Sequence, residues 1–123
     1  MGQFFLAASA ISGFIAVALG AFGAHALKQR LSADMLAVYE TAVQYHFYHT
    51  LALLAVAALM VGGAQGLKLS AVLFLVGTLI FSGSLYALAL SGVKILGAVT
   101  PIGGLCLLAG WACLTYTAIK GLS

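Results

Sequence analysis

Apolar residues dominate four stretches of the chain, 4–26, 38–62, 69–90 and a last one that starts at Ile95 or Pro101 and ends at Ile119. A helix needs roughly 20 such residues to cross about 30 Å of hydrocarbon, so each stretch has the reach of a membrane span. Short connections separate them, and short connections make consecutive helices antiparallel neighbours. The pattern predicts an all-α integral membrane protein, a four-helix bundle formed by one domain over residues 1–123.

The polar breaks refine this outline. HALKQRLSADMLAVYE, between the first two spans, holds both acids, Asp34 and Glu40, and the bases Lys28 and Arg30. Ser32 is placed to cap a helix beginning at Ala33, with Asp34 in the first turn where negative charge suits the helix dipole. A short interfacial helix merging into the second span is expected there. GGAQGLK reads as a turn, and SGVKILG as an apolar connection lying at the interface. Thr100-Pro101 has two readings: Thr100 caps a helix that Pro101 starts, or Pro101 bends a helix running from Ile95, softened by Gly103 and Gly104. Ala24-His25-Ala26 has the small-x-small form of a signal-peptide cleavage site. However, MGQFF lacks a basic region and the apolar stretch exceeds the roughly 7 to 15 residues of a signal core, so the first span is expected to be retained.

Composition settles the solvent. With 64% hydrophobic and 6% charged residues and a mean hydropathy of +1.20, the chain cannot clothe a water-facing surface. The net charge of +3 does not imply nucleic acid, because Lys28, Arg30, Lys68, Lys94 and Lys120 are scattered instead of gathered on one face. They mark helix ends, and their distribution leans toward termini on the outer side. Cys106 and Cys113 stand about 10 Å apart along one helix, too far for a disulfide, and read as small packing residues.

Without a hydrophobic drive between helices in lipid, association depends on small residues that let backbones approach. Ala8, Ser12, Ala16, Gly20 and Ala24 form such a row on the first span. Gly83, Ala87 and Ser91 form one on the third, and Gly103, Cys106, Gly110, Cys113 and Thr117 one on the fourth. These rows serve packing inside the bundle, between copies in a homo-oligomer, or both.

The candidate chemistry is concentrated in YETAVQYHFYHT, residues 39–50. On a helix, Glu40, Gln44, Tyr48, Thr41, Tyr45 and His49 fill half the circumference in that order, and His46 and Thr50 continue the arc. Three roles fit a polar face at the start of a membrane span: an anchor in the headgroup zone, a network tying helices together, or a site or pathway. His49 lies about 13 Å deeper than Glu40, where a histidine needs a partner, and Tyr45 one turn earlier offers a hydroxyl. His46 and His49, spaced i and i+3, supply half a metal site that His25 and Glu40 would have to complete; no metal or cofactor is assigned. No nucleophile elbow, paired acids, phosphate loop or cysteine–histidine signature is present. FSGSLY, residues 81–86, offers Ser84 and Tyr86 for bonds across helices.

GAFGAHALK at 20–28, YETAVQYHFYHTLAL at 39–53, FSGSLYAL at 81–88, and TPIGG with the later GW at 100–111 resemble the small bacterial membrane proteins grouped as domain of unknown function 423, to which eukaryotic transmembrane protein 256 is similar. The resemblance implies a four-span protein of the bacterial inner membrane and brings no catalytic residues. It places His25, Tyr45, His49, Ser82, Ser84, Tyr86 and Pro101 within the characteristic motifs. The expected function is non-enzymatic: a small polar intramembrane site or passage for a solute, proton or lipid headgroup, built from His25, Glu40, Gln44, Tyr45, His46, His49, Ser82, Ser84 and Tyr86. The rival expectation is a structural or accessory membrane protein in which the polar band only anchors the interface.

Overall fold

A computed structural model describes residues 1–121 and contains four long helices among them. Helix α1 spans Gly2–Phe22 and runs directly into a π-helical turn, Gly23–Leu27. Helix α2 spans Ala33–Val61, α3 spans Lys68–Ser91 and α4 spans Thr100–Lys120, with a 3-10 turn at Lys94–Ala98 ahead of α4. The shortest of these, α1 and α4 with 21 residues each, are about 32 Å long, so all four can cross the hydrocarbon layer.

The segment expected to form an interfacial helix is the opening of α2 itself. Ser32 caps it, its Oγ accepting from the Met35 backbone N–H at 3.2 Å, and the helix continues unbroken to Val61. Proline fixes its own backbone in a helical shape and has no N–H to lose in a first turn. Accordingly Pro101 lies in the first turn of α4, which begins at Thr100, and the kinked alternative is not adopted; residues from Lys94 coil separately as the 3-10 turn. Thr100 does not cap the helix, because its hydroxyl is bonded to Ser84 instead. Gly92 ends α3 at φ 72°, a left-handed backbone that a side chain would disfavour.

Neighbours are antiparallel. The start of α1 meets the end of α2, where Gly2 abuts the backbone of Met60 and Val61, and the end of α1 meets Tyr39. Tyr39 faces Tyr86, Tyr45 faces Phe81 and His49 faces Phe74, pairing α2 with α3. Thr117 donates to the Gly66 carbonyl at 2.9 Å, tying the end of α4 to the turn before α3. Close backbone packing thus follows chain order: α1 on α2, α2 on α3, α3 on α4. Helices α2 and α3 hold most of the buried polar side chains because each is flanked on two sides, α2 by α1 and α3, and α3 by α2 and α4.

Small residues make the closest approaches. A Cβ on Gly103 would lie 2.7 Å from the Phe81 Cα, one on Gly110 would lie 2.8 Å from the Phe74 ring, and one on Gly77 would lie 2.7 Å from a Leu107 methyl. These three glycines let α3 and α4 touch. On α1, Ala16 is completely buried, Gly20 faces Val43, and Gly23 leaves the space that the buried Tyr39 ring occupies. Gly83 breaks the expected pattern: it is exposed, and a Cβ there would meet nothing within 4 Å. Its row does not pack inside the bundle, so of the two expected roles only packing between copies is left to it.

Candidate functional site

The inward face of α2 is set by Tyr39, Ala42, His46, His49, Thr50 and Leu53, all buried. Only one edge of the polar arc belongs to it. Glu40 and Gln44 are exposed, as are Tyr45 and Tyr48, while His46, His49 and Thr50 turn into the protein.

His46 lies halfway along α2, level with Ser12 halfway along α1. Its Nε2 is 2.9 Å from Ser12 Oγ and its Nδ1 is 2.9 Å from Tyr86 Oη on α3. Ser12 Oγ is also 2.6 Å from Thr50 Oγ1. The series Thr50–Ser12–His46–Tyr86 therefore joins three helices through three bonds. With neutral imidazole these four groups hold four polar hydrogens, one more than the bonds use. Depending on the His46 tautomer, the uncommitted hydrogen lies on Thr50, Ser12 or Tyr86. Nearby, Ser82 donates to the Ala42 carbonyl at 2.8 Å, a further α2–α3 tie.

His49 looks the other way, toward α4. The Trp111 indole N–H donates to its Nε2 at 3.1 Å, and its Nδ1 is 2.9 Å from the Tyr45 carbonyl oxygen. An indole only donates and a carbonyl only accepts, so His49 carries its hydrogen on Nδ1 and is neutral. The Tyr45 hydroxyl, expected to partner His49, is not involved; the Tyr45 ring stacks on the imidazole with centroids 6.0 Å apart. All four nitrogens of His46 and His49 are engaged, which leaves neither ring a free ligand position. No group of three metal-ligating side chains converges among the described residues.

His25 stands apart from both histidines. It lies in the π-helical turn, exposed, and takes no part in the network it was expected to join. The wider coil of that turn directs Gly23 and Leu27 inward and His25 outward. Ser84 bonds to Thr100 Oγ1 at 2.6 Å, holding the start of α4 on α3, and belongs to neither histidine cluster.

Two recesses flank α2. One, about 410 Å³, opens between α1 and α3. Ile11, Ile15, Leu75 and Leu79 form its walls, and Ser12, His46, Ser82 and Tyr86 supply its polar floor, with Gly83 at the rim. The other, about 540 Å³, lies by α4 over His49, between Phe81, Leu108 and Trp111.

Residues 19–104 match the family described as "Protein of unknown function (DUF423)". The chain belongs to this family. It is 45% identical over 119 residues to the UPF0382 inner membrane protein YgdD of Escherichia coli strain K12, covering 96% of this chain and 91% of that protein. It is 44% identical over 119 residues to a UPF0382 membrane protein of Haemophilus influenzae, covering 97% and 96% of the two chains. To the UPF0382 membrane protein YwdK of Bacillus subtilis it is 41% identical over 120 residues, covering 96% and 98%. No solved structure matches it. With four helices long enough to span, this DUF423 member is a multi-pass protein of the bacterial inner membrane, surrounded by lipid.

The matched segment of the DUF423 chain contains His46, His49, Ser82 and Tyr86, but Ser12 and Trp111 lie outside it. Sequence reading assigned Ser12 only to packing and gave Trp111 no partner. The available signals were general: a hydroxyl midway along an apolar span, and an indole N–H that needs an acceptor wherever it is buried.

Proposed function

We propose that this DUF423 protein is a non-enzymatic membrane protein whose recess between α1 and α3 holds a lipid-soluble molecule with a hydrogen-bond-accepting head, such as a carbonyl. The carrying observation is the contrast between apolar walls and a polar floor at mid-depth in the membrane, where a hydroxyl hydrogen remains uncommitted. Ser12 and Tyr86, two of its three alternative carriers, line the recess. Hydrocarbon cannot accept that hydrogen, whereas a carbonyl arriving laterally from the bilayer can. The recess does hold a hydroxyl 2.9 Å from an imidazole, Ser12 Oγ and His46 Nε2, but that hydroxyl is also tied to Thr50 and the other ring nitrogen meets the Tyr86 hydroxyl instead of a carboxylate, an arrangement that supports binding over chemistry.

Gly83 provides the test. Gly83 lines the recess and an added Cβ there meets nothing within 4 Å, so a leucine has room to start from the rim. Protein purified from its own membrane in mild detergent is expected to retain about one apolar molecule per chain by native mass spectrometry. Gly83→Leu should lower that occupancy at least tenfold without altering helicity. A wild-type protein carrying no such adduct, or an adduct indifferent to Gly83→Leu, defeats the proposal. The exposed Gly83, Ala87 and Ser91 row supports a second reading, in which another copy of the chain covers the same recess. A dimer in nanodiscs that Gly83→Leu converts to monomer would favour that reading, and a wild-type monomer removes it.

A further inference from the structure

A third recess, about 330 Å³, lies where α1 and its π-helical turn meet the opening of α2. It is separate from the histidine network and sits near the membrane edge. Gly20, Gly23 and Ala24 form one wall, their missing or minimal side chains opening the space. Lys28, Glu40 and Gln44 bring polar ends to it, and Val43 and Leu36 supply apolar surface. Lys28 and Glu40 are both exposed, so each charged head reaches the recess without a buried charge.

One of the chain's two acids and one of its five bases thus meet at one opening in a protein that is 6% charged. A purely anionic ligand would suit Lys28 and oppose Glu40; a simple cation would do the reverse. A ligand with both signs on neighbouring atoms suits both. Glu40 and Gln44 are one helical turn apart on the same face, so a carboxylate and an amide carbonyl are presented together. That pair accepts hydrogen bonds and fits a primary ammonium with three N–H donors better than a quaternary ammonium with none. Lys28 can take the phosphate. Below Gln44 the same face of α2 continues as exposed Tyr48 and Leu51, apolar surface along which acyl chains can lie.

We infer that this recess is a headgroup site for a zwitterionic phospholipid with a primary amine, a phosphatidylethanolamine, with Lys28 on the phosphate and Glu40 and Gln44 on the ammonium. The site is independent of the ligand proposed for the recess between α1 and α3.

The experiment is lipid titration of the full chain by native mass spectrometry, using palmitoyl-oleoyl phosphatidylethanolamine, phosphatidylcholine and phosphatidylglycerol with matched acyl chains. Phosphatidylethanolamine should bind at least fivefold more tightly than the other two. Glu40→Gln should bring it to the phosphatidylcholine level, and Lys28→Ala should weaken phosphatidylethanolamine and phosphatidylcholine together. Both positions are exposed, and an unchanged circular dichroism spectrum verifies that each variant is folded. Equal binding of the ethanolamine and choline lipids overturns the inference, as does a preference that survives Glu40→Gln. If free phosphoethanolamine displaces the lipid at similar concentration, a soluble zwitterion is the occupant and the lipid assignment falls.

Discussion

Gly103→Ala is expected to destabilise the protein by about 2 kcal/mol or more. The added Cβ would strike the backbone of Phe81, with the Phe81 Cα only 2.7 Å away. A helix backbone cannot swing aside as a side chain can, so α4 must move off α3. The same interface holds Thr100 on Ser84 and Trp111 within reach of His49, and both bonds should weaken with it. Gly104→Ala is the control one residue on, since a Cβ there comes no closer than 3.7 Å to the Phe81 ring. Reversible unfolding in bicelles measures both. If the two variants lose the same stability, close backbone contact at Gly103 is not what holds α4.

The second large effect concerns His46. His46→Leu removes two interhelical bonds, strands the Tyr86 hydroxyl and leaves the Ser12 hydroxyl with Thr50 as its one partner. Hydrogen bonds between membrane helices contribute roughly 0.6 kcal/mol each on average, up to about 1.7, and a stranded buried donor adds its own cost. The expected loss is about 2 kcal/mol. Part of the cost comes from the unmatched Tyr86 hydroxyl, so removing it as well should restore that part: the double variant His46→Leu, Tyr86→Phe is expected to be more stable than His46→Leu alone. Strict additivity of the two substitutions in the same unfolding assay would show that His46 and Tyr86 do not act as a unit.

Much of the architecture was legible because lipid imposes few solutions. A chain with so few charges and four apolar stretches of spanning length must satisfy its backbone inside helices, and short turns leave little choice of neighbour. Ser32 was readable as a cap from local chemistry alone. The site was less legible because the polar arc on α2 is wider than the face that α2 buries. Periodicity put Glu40, Gln44, Tyr45 and His49 on one side, but only tertiary packing decides where the neighbouring helices cover it. They cover the edge bearing His46, His49 and Thr50 and leave Glu40 and Gln44 at the surface. His25 was placed with the histidines of α2 because it falls in a motif of the resembled family, and it lies exposed in the π-helical turn, away from them. The partners Ser12 and Trp111 come from helices remote in sequence, and nothing in one chain's residue order states which hydroxyl or indole a given imidazole will meet.

The chain-order packing bears on how the molecule is made. Each helix after the first packs on the segment synthesised just before it, so a growing chain need not wait for distant parts to emerge. Once Val61 has been inserted, the first hairpin already possesses Ser12, His46 and Thr50, and its own latch can close inside the bilayer before α3 exists. Tyr86 then arrives as the last member of a half-finished circuit. Biogenesis can therefore proceed as successive additions at one growing edge.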